Sequence, residues 1–110
     1  MDLILVVCGA GASSTFLASR IRSIATERGL ELTARAASNL DLSTRLADAS
    51  VLLVGPHLEA SFPELRAEAA ARSVPAGLLP ATAFGADGAT DALEQALALL
   101  DATNEGSVNA

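Results

Sequence analysis

The one cysteine of this chain stands where a thiol could act as a nucleophile. Cys8 follows the apolar run Leu3–Val7 and precedes a stretch rich in glycine and hydroxyl side chains. That stretch consists of Gly9, Ala10, Gly11, Ala12, Ser13, Ser14 and Thr15. Open parallel α/β sheets bind ligands at the carboxyl ends of their strands, and a helix N-terminus there attracts anions. The thiol is therefore a candidate for chemistry on phosphate.

The stretch 9–15 has the composition of a phosphate-binding loop. Its two glycines let backbone N–H groups converge, and its three hydroxyl side chains can cap a helix or donate hydrogen bonds to an oxyanion. Residues 3–26 contain no Asp or Glu, although the chain carries a net charge of −6. These surroundings predict a thiol pKa below its free value of about 8.5, together with donors for a phosphoryl group on sulfur.

A structural explanation of Cys8 stays open beside the chemical one. Free cysteine is among the most buried residue types, so Cys8 could be a core residue and the glycines could serve only a tight turn. The spacing of the residues after Cys8 argues against three well-known motifs, those of a tyrosine phosphatase, a thioredoxin-like protein and a dinucleotide-binding site. A low-molecular-weight tyrosine phosphatase needs Arg where Ser14 stands, and a thioredoxin-like motif needs Cys where Gly11 stands. A dinucleotide fingerprint would need a third glycine, again at Ser14.

Composition narrows the classes of protein further. The 110 residues are 51% apolar and 18% charged, which predicts one globular domain over residues 1–103 and a flexible C-terminal tail over 104–110. Seven arginines, no lysine and no basic cluster argue against nucleic-acid binding. A single cysteine cannot form an internal disulfide, and the N-terminus lacks the pattern of a signal peptide, so we expect a cytoplasmic protein. No apolar run is long enough for membrane insertion, and no metal or cofactor is expected.

Strands and helices alternate four times along the sequence. The predicted strands are Leu3–Val7, Leu30–Ala36, Ser50–Val54 and Val74–Leu79, and the predicted helices are Ser14–Arg28, Asn39–Ala47, Ala60–Arg72 and Ala89–Thr103. The pattern predicts an α/β fold, a small doubly wound open parallel four-stranded sheet with helices on both faces. The second strand alternates apolar and polar residues, as an edge strand does. Cys8, Gly55 and Leu79, which end three strands, should lie on one side of the sheet.

Three segments carry a resemblance to a known family. The order of strand, residues 7–15 (VCGAGASST) and helix resembles the IIB component of the bacterial phosphotransferase sugar-uptake system, in the lactose/cellobiose (chitobiose) family. Residues 50–57 (SVLLVGPH) resemble that family's third strand and Gly-Pro-Gln turn, and residues 84–88 (FGADG) resemble its Tyr-Gly segment. The resemblance covers residues 3–103.

The resemblance implies a role for each part of the loop. Cys8 would accept a phosphoryl group from a phosphohistidine of the IIA component and pass it to a sugar bound in the membrane-embedded IIC component. Residues 9–15 would bind the phosphoryl oxygens. Phosphoryl transfer needs mainly in-line positioning and stabilisation of those oxygens, which such a loop can supply without a metal.

Some residues depart from the family pattern. His57 stands where Gln is usual, Phe84 where Tyr is frequent, and Pro80 near a place where Asp is common. We expect His57 to be a surface or hydrogen-bonding residue and do not assign catalysis to Phe84. Arg20 and Arg22 are expected on the solvated face of the first helix, unless one of them meets an acidic or phosphorylated partner.

Two other functions remain alternatives to the carrier. The first is a regulatory module of the same fold that binds an anion or a phosphorylated partner without turnover. The second is a divergent cysteine phosphatase, which would hydrolyse an aryl phosphate.

Overall fold

The computed structural model describes residues 2–8, 11–38 and 40–109, with residues 11–13 and 102–109 as backbone. Four parallel strands form one sheet in the order β2-β1-β3-β4, which confirms the predicted fold class. The strands are β1 (Asp2–Val7), β2 (Leu32–Ala37), β3 (Val51–Val54) and β4 (Ala76–Leu78). The helices are α1 (Gly11–Glu27), α2 (Leu42–Leu46), α3 (Phe62–Ala70) and α4 (Gly88–Asn109), with two 3₁₀ helices at Pro56–Ser61 and Ala81–Phe84.

The two central strands, β1 and β3, are apolar wherever they are buried. Residues 4–7 of β1 and all of β3 are buried, because helices cover both faces of the sheet. One face carries a core shared with Leu17 and Ile21 of α1 and Leu93 of α4. The other carries a core shared with Leu42 of α2 and Ala69 of α3. The two central strands therefore lie between two cores, one on each face of the sheet.

The edge strand β2 begins two residues later than predicted because the turn before it uses Leu30. Gly29 has a φ of 68° and ends α1 in the left-handed conformation, as its position predicts. The Leu30 N–H donates to the Ala25 carbonyl at 2.9 Å, and the Gly29 N–H donates to the Thr26 carbonyl at 3.1 Å. These two bonds form a Schellman motif that aims the chain back toward β1.

Two other helices differ in extent from prediction. The segment predicted as one helix over Ala60–Arg72 divides into a 3₁₀ helix from Pro56 and α3 from Phe62, with Pro63 in the first turn of α3. Proline is tolerated there because the N–H groups of the first turn have no partner within the helix. The predicted helix Asn39–Ala47 shortens to α2, and Asn39 itself lies outside the described residues.

The last helix extends beyond its predicted end at Thr103, since α4 continues to Asn109, while the predicted flexibility of residues 104–110 stays a prediction. No proline follows Thr103 to stop the helix. Once a helix is nucleated, each further residue adds a backbone hydrogen bond at small entropic cost, so a polar composition alone does not end it. Of the predicted tail, only Ala110 lies outside the described residues, as does Met1 at the other end of the predicted domain.

Candidate functional site

Cys8 directly follows β1 at the carboxyl edge of the sheet, which is the edge formed by the ends of β1, β3 and β4. Val7 pairs with Val54 of β3, and the Gly55 N–H donates to the Val7 carbonyl at 2.7 Å. The Leu79 N–H donates to the Val54 carbonyl at 2.7 Å. The predicted gathering of Cys8, Gly55 and Leu79 at one edge is therefore confirmed.

Gly55 makes room for the cysteine side chain. A Cβ atom built on Gly55 would lie 2.8 Å from Cys8 Sγ, closer than real side chains approach one another. The glycine thus permits the thiol to lie against the β3 turn. Sequence reasoning placed Gly55 at a strand end but did not assign it a role in the site, although a glycine directly after a fully apolar strand is a signal of close approach.

The helix that follows Cys8 begins earlier than predicted. α1 starts at Gly11, so its N-terminal N–H groups lie three residues from the thiol in sequence. Ser13, Ser14 and Thr15 lie inside the helix, which excludes them as N-caps, and Ser14 is buried while Thr15 is exposed. Gly9 and Ala10 of the predicted loop lie outside the described residues, and Gly11, Ala12 and Ser13 are described as backbone. Binding of phosphate by residues 9–15 stays a prediction.

The electrostatic environment of Cys8 differs from the one predicted. Burial raises the pKa of the Cys8 thiol to about 11, so the prediction of a lowered pKa is wrong. The residue is 5% exposed and belongs to the core cluster that includes Leu79 and Ala83. Burial removes the sulfur from water, which disfavours the charged thiolate. The hydrogen-bond donors that can be counted in the sequence do not show how deeply the sulfur is buried. At neutral pH the thiol is protonated.

Most of the chain matches the model of a known protein family. A family model described as "PTS system, Lactose/Cellobiose specific IIB subunit" matches residues 3–95. The chain belongs to this family. Its members act in sugar phosphotransferase systems together with IIA and IIC components, which gives this IIB chain a phosphotransferase role. The comparison with curated protein sequences finds no match.

Two solved structures share the fold of this IIB chain. One is the solution structure of the cellobiose-specific phosphotransferase IIB component from Borrelia burgdorferi, with a TM-score of 0.75 and 24% identity over 93% of this chain and 94% of that chain. The other is the lactose-specific IIB component domain from Streptococcus pneumoniae, with a TM-score of 0.74 and 16% identity over 89% of this chain and 96% of that chain.

Two of the three departures from the family pattern, His57 and Phe84, contact each other. The His57 and Phe84 rings lie with centroids 6.2 Å apart and planes tilted by 34°. Phe84 is half-buried against the core cluster that contains Cys8, whereas His57 is exposed, as predicted. An aromatic contact therefore joins the turn after β3 to the segment before α4.

The two arginines of α1 have different surroundings, although both are exposed. Arg22 Nη1 donates to the Ala34 carbonyl of β2 at 2.6 Å, so this side chain ties the helix to the edge strand. The Arg20 guanidinium lies 5.9 Å from the centroid of the Phe16 ring, within the range of a cation–π contact. Arg20 therefore supplies positive charge on the outer face of α1.

A cavity lies away from Cys8. A cavity of about 370 Å³ is found over the amino halves of β1 and β2, where the short α2 leaves the sheet partly uncovered. Its walls are formed by Leu3, Leu5, Thr33, Arg35, Arg45 and Asp48.

Within the described ranges, no group of His, Cys, Asp and Glu side chains could hold a metal ion, and no helix is long and apolar enough to cross a membrane.

Proposed function

We propose that this IIB chain carries a phosphoryl group on Cys8 during sugar uptake in the cytoplasm. The donor is a phosphohistidine of the IIA component, and the acceptor is a sugar bound in the membrane IIC component. In enzymatic terms the chain is the IIB subunit of a protein-N(π)-phosphohistidine sugar phosphotransferase. The position of Cys8 carries the proposal, because it ends the central strand and is followed after two residues by the start of α1.

The start of α1 supports the binding of a phosphoryl group beside Cys8. The first four N–H groups of a helix have no partner within the helix, and the helix dipole favours negative charge at this end. Residues 3–26 contain no acid, although the chain has a net charge of −6. Residues 9–15 would supply the donors for the three phosphoryl oxygens.

The raised pKa of Cys8 determines how the proton moves in the first transfer. The protonated thiol attacks phosphorus, a bond forms between sulfur and phosphorus, and the bond between phosphorus and the imidazole nitrogen of the donor breaks. The attacking sulfur and the departing nitrogen lie on opposite sides of phosphorus in an in-line transfer, so the thiol gives its proton to water as the new bond forms. The departing imidazole nitrogen gains the electron pair of the broken bond and takes up a proton from water. Because burial raises the pKa of Cys8, the thiol loses its proton during the transfer and not before the partners meet.

Sulfur is the nucleophile in the first transfer and the leaving group in the second. A hydroxyl oxygen of the sugar attacks phosphorus and gives its proton to water, the bond between sulfur and phosphorus breaks, and sulfur keeps the electron pair of that bond and takes up a proton from water. Burial raises the pKa of the thiol, which makes sulfur a poorer leaving group as the thiolate but makes the protonated thiol the stable product at neutral pH. The same burial would therefore favour the return to the starting state.

Intact-mass spectrometry with a phosphorylated IIA component tests this proposal. The wild-type chain should gain one phosphoryl group, and Cys8→Ser should gain none under the same conditions. Ser19→Ala is a matched control, because Ser19 is an exposed hydroxyl residue farther along α1 and should leave the adduct unchanged. An adduct on Cys8→Ser would refute phosphorylation at the cysteine.

A regulatory module of the same fold is the second candidate, and the nearly covered, protonated thiol is the observation that favours it. Such a module would bind the phosphorylated partner without accepting phosphate. In that case the wild-type chain would show no adduct, and Cys8→Ser would keep the wild-type affinity for the partner.

A further inference from the structure

The cavity over the amino halves of β1 and β2 has one face of the sheet as its floor. Leu3 pairs with Thr33, and Leu5 pairs with Arg35. Partners in the register of parallel strands place their side chains on the same face, so these four residues form a square beside α2. Leu5 belongs to the core on this face, and the five residues of α2 leave the square partly uncovered. The floor is therefore apolar along β1 and polar along β2.

Arg35 places a cation on the same face of the sheet as the core. Its register partner Leu5 is fully buried, and Ala37, the next residue of β2 on this face, is buried in the same core. In the part of the chain that the structure describes, the Arg35 side chain has no hydrogen bond and no ion pair. All five N–H donors of its guanidinium are therefore available to an anion that enters the cavity.

One wall of the cavity carries a second cation and an anion side by side. The Asp48 N–H donates to the Arg45 carbonyl at 3.2 Å, so the chain follows a helical turn there and the two side chains are neighbours. Arg45 binds Asp41 Oδ2 through Nε, which leaves the N–H groups of its two terminal nitrogens as donors. The Asp48 carboxylate has no partner among the residues described. An apolar surface, two guanidinium groups and one unpaired carboxylate thus line a single cavity.

We propose that this cavity binds a small aliphatic amino acid in its zwitterionic form. The carboxylate of the ligand would bind Arg35 and Arg45, and its ammonium group would bind Asp48. Its aliphatic side chain would cover Leu3 and Leu5. An amino acid carries its two charges on one carbon atom, so it needs a cation and an anion that are adjacent, as Arg45 and Asp48 are. The cavity volume of about 370 Å³ lies within the range of small-molecule sites.

The same lining argues against other small ligands. A phosphorylated sugar would bring a dianionic group close to the Asp48 carboxylate, and its hydroxyl groups would lie over two leucines without hydrogen-bond partners. A simple carboxylate would leave Asp48 unpaired, and a simple amine would leave the guanidinium groups unpaired. Only a ligand that has both charges and an apolar part matches every side of the cavity.

The cavity is separate from the site of the proposed phosphoryl transfer. Leu5 lies three residues before Cys8, a distance of about 10 Å along the strand. Binding of an amino acid therefore does not require phosphate on the thiol. The inference goes beyond the carrier function and can be tested without IIA or IIC protein.

Titration of the full chain with L-leucine, followed by NMR of the backbone amides, tests the proposal. L-Leucine should bind saturably with a dissociation constant in the millimolar range, as a small ligand at an open site does. The amides that should shift are those of Leu3, Leu5, Thr33 and Arg35, whereas the Gly55 amide at the carboxyl edge should not. Isovalerate lacks the ammonium group and 3-methylbutylamine lacks the carboxylate, so each should bind at least about tenfold more weakly.

Two variants separate the roles of the charges. Arg35→Ala should weaken the binding of L-leucine by about tenfold, the effect of one charge-assisted hydrogen bond. Arg66→Ala is the matched control, because it removes an exposed arginine of α3 outside the cavity, and it should have no effect. Asp48→Asn should weaken L-leucine by about tenfold but strengthen isovalerate, because the repulsion between two carboxylates is removed. All three replaced side chains are exposed, so the amide spectra without ligand should remain those of the folded chain.

Several outcomes would overturn the inference. Absence of saturable amide shifts at L-leucine concentrations well above the millimolar range would do so, as would equal losses in Arg35→Ala and Arg66→Ala. Equal binding of isovalerate and L-leucine would show that Asp48 does not select an ammonium group. Tighter binding of glucose 6-phosphate than of L-leucine would refute the ligand class. Failure of Cys8 to accept phosphate would refute the carrier function and leave this site standing.

Discussion

Substitution of Gly55 by alanine tests the close approach of β3 to the thiol. The new Cβ atom would lie 2.8 Å from Cys8 Sγ, 3.2 Å from its Cβ and 3.3 Å from its Cα. Ordinary contacts between such atoms are about 3.5–4.0 Å, so the sulfur must move by nearly 1 Å or the strands must separate. Gly55 has a φ of −65° and a ψ of 152°, which alanine adopts without strain. The loss therefore comes from crowding alone.

The expected magnitude follows from two opposing effects. Overpacking of a core costs about 1–3 kcal/mol, while the lower entropy of the unfolded chain with alanine returns about 0.4–1 kcal/mol. We expect Gly55→Ala to lower the free energy of unfolding by about 1–2 kcal/mol and the Tm by roughly 5–10 °C. Displacement of the sulfur by about 1 Å should also slow phosphoryl transfer, by up to about 100-fold.

Urea unfolding and a double-mutant cycle measure the effect. Cys8→Ala removes the sulfur, so Gly55→Ala should cost less in that background, with a coupling free energy of at least about 0.5 kcal/mol. Gly85→Ala is the matched control at a second turn glycine, where the nearest atom to a new Cβ is the Thr82 carbonyl oxygen at 3.3 Å. Wild-type stability and transfer in Gly55→Ala, with no coupling to Cys8, would refute this account of the site.

Four further predictions concern ionisation and the edge strand. The rate of Cys8 alkylation should rise about tenfold per pH unit through neutrality and level off near the thiol pKa of about 11. Because that pKa lies above the ordinary value of 9.0, stability should fall as pH rises from about 9 to 11, and Cys8→Ala should abolish this dependence. Arg22→Ala removes the bond to the Ala34 carbonyl, so it should cost about 1 kcal/mol and speed amide exchange in β2, an effect that hydrogen-exchange NMR would detect. Asp41 has a pKa lowered to about 2, so its bond to Arg45 should persist above about pH 4 and break as the pH falls toward 2; a carboxyl titration by NMR near 3.8 would contradict this.

The sequence predicts β1, β3 and the carboxyl edge well because each depends on local patterns and one topological rule. An apolar run bounded by glycine specifies a strand buried on both faces, and parallel connections bring strand ends together. The pKa of Cys8 was predicted in the wrong direction because burial raises it, and Cys8 is buried in a cluster with residues distant in sequence, such as Leu79 and Ala83. The composition of residues 3–15 does not reveal this burial.

The ends of helices and the surface of the edge strand are the other features that sequence patterns describe poorly. Polar composition predicted that α4 would end near Thr103, but a helix that is already nucleated continues to Asn109. Leu40 is 99% exposed although it is a large apolar residue, and the bonds that Ser38 and Arg45 make to Asp41 beside it are equally absent from any periodic pattern. Such contacts depend on side-chain geometry, which composition does not encode.

The two lateral edges of the sheet have a consequence for self-association. β4 has three residues and is flanked by Pro75 and Pro80, so it offers few free backbone groups to an approaching strand. β2 presents the exposed Arg35 near its middle, and a second copy added there would bring two such charges close together. Both features oppose growth of the sheet from chain to chain. A carrier of the kind proposed above, which must leave one partner before it meets the next, would gain from lateral edges that do not pair with other copies, because its contacts would then be made through the end that holds Cys8.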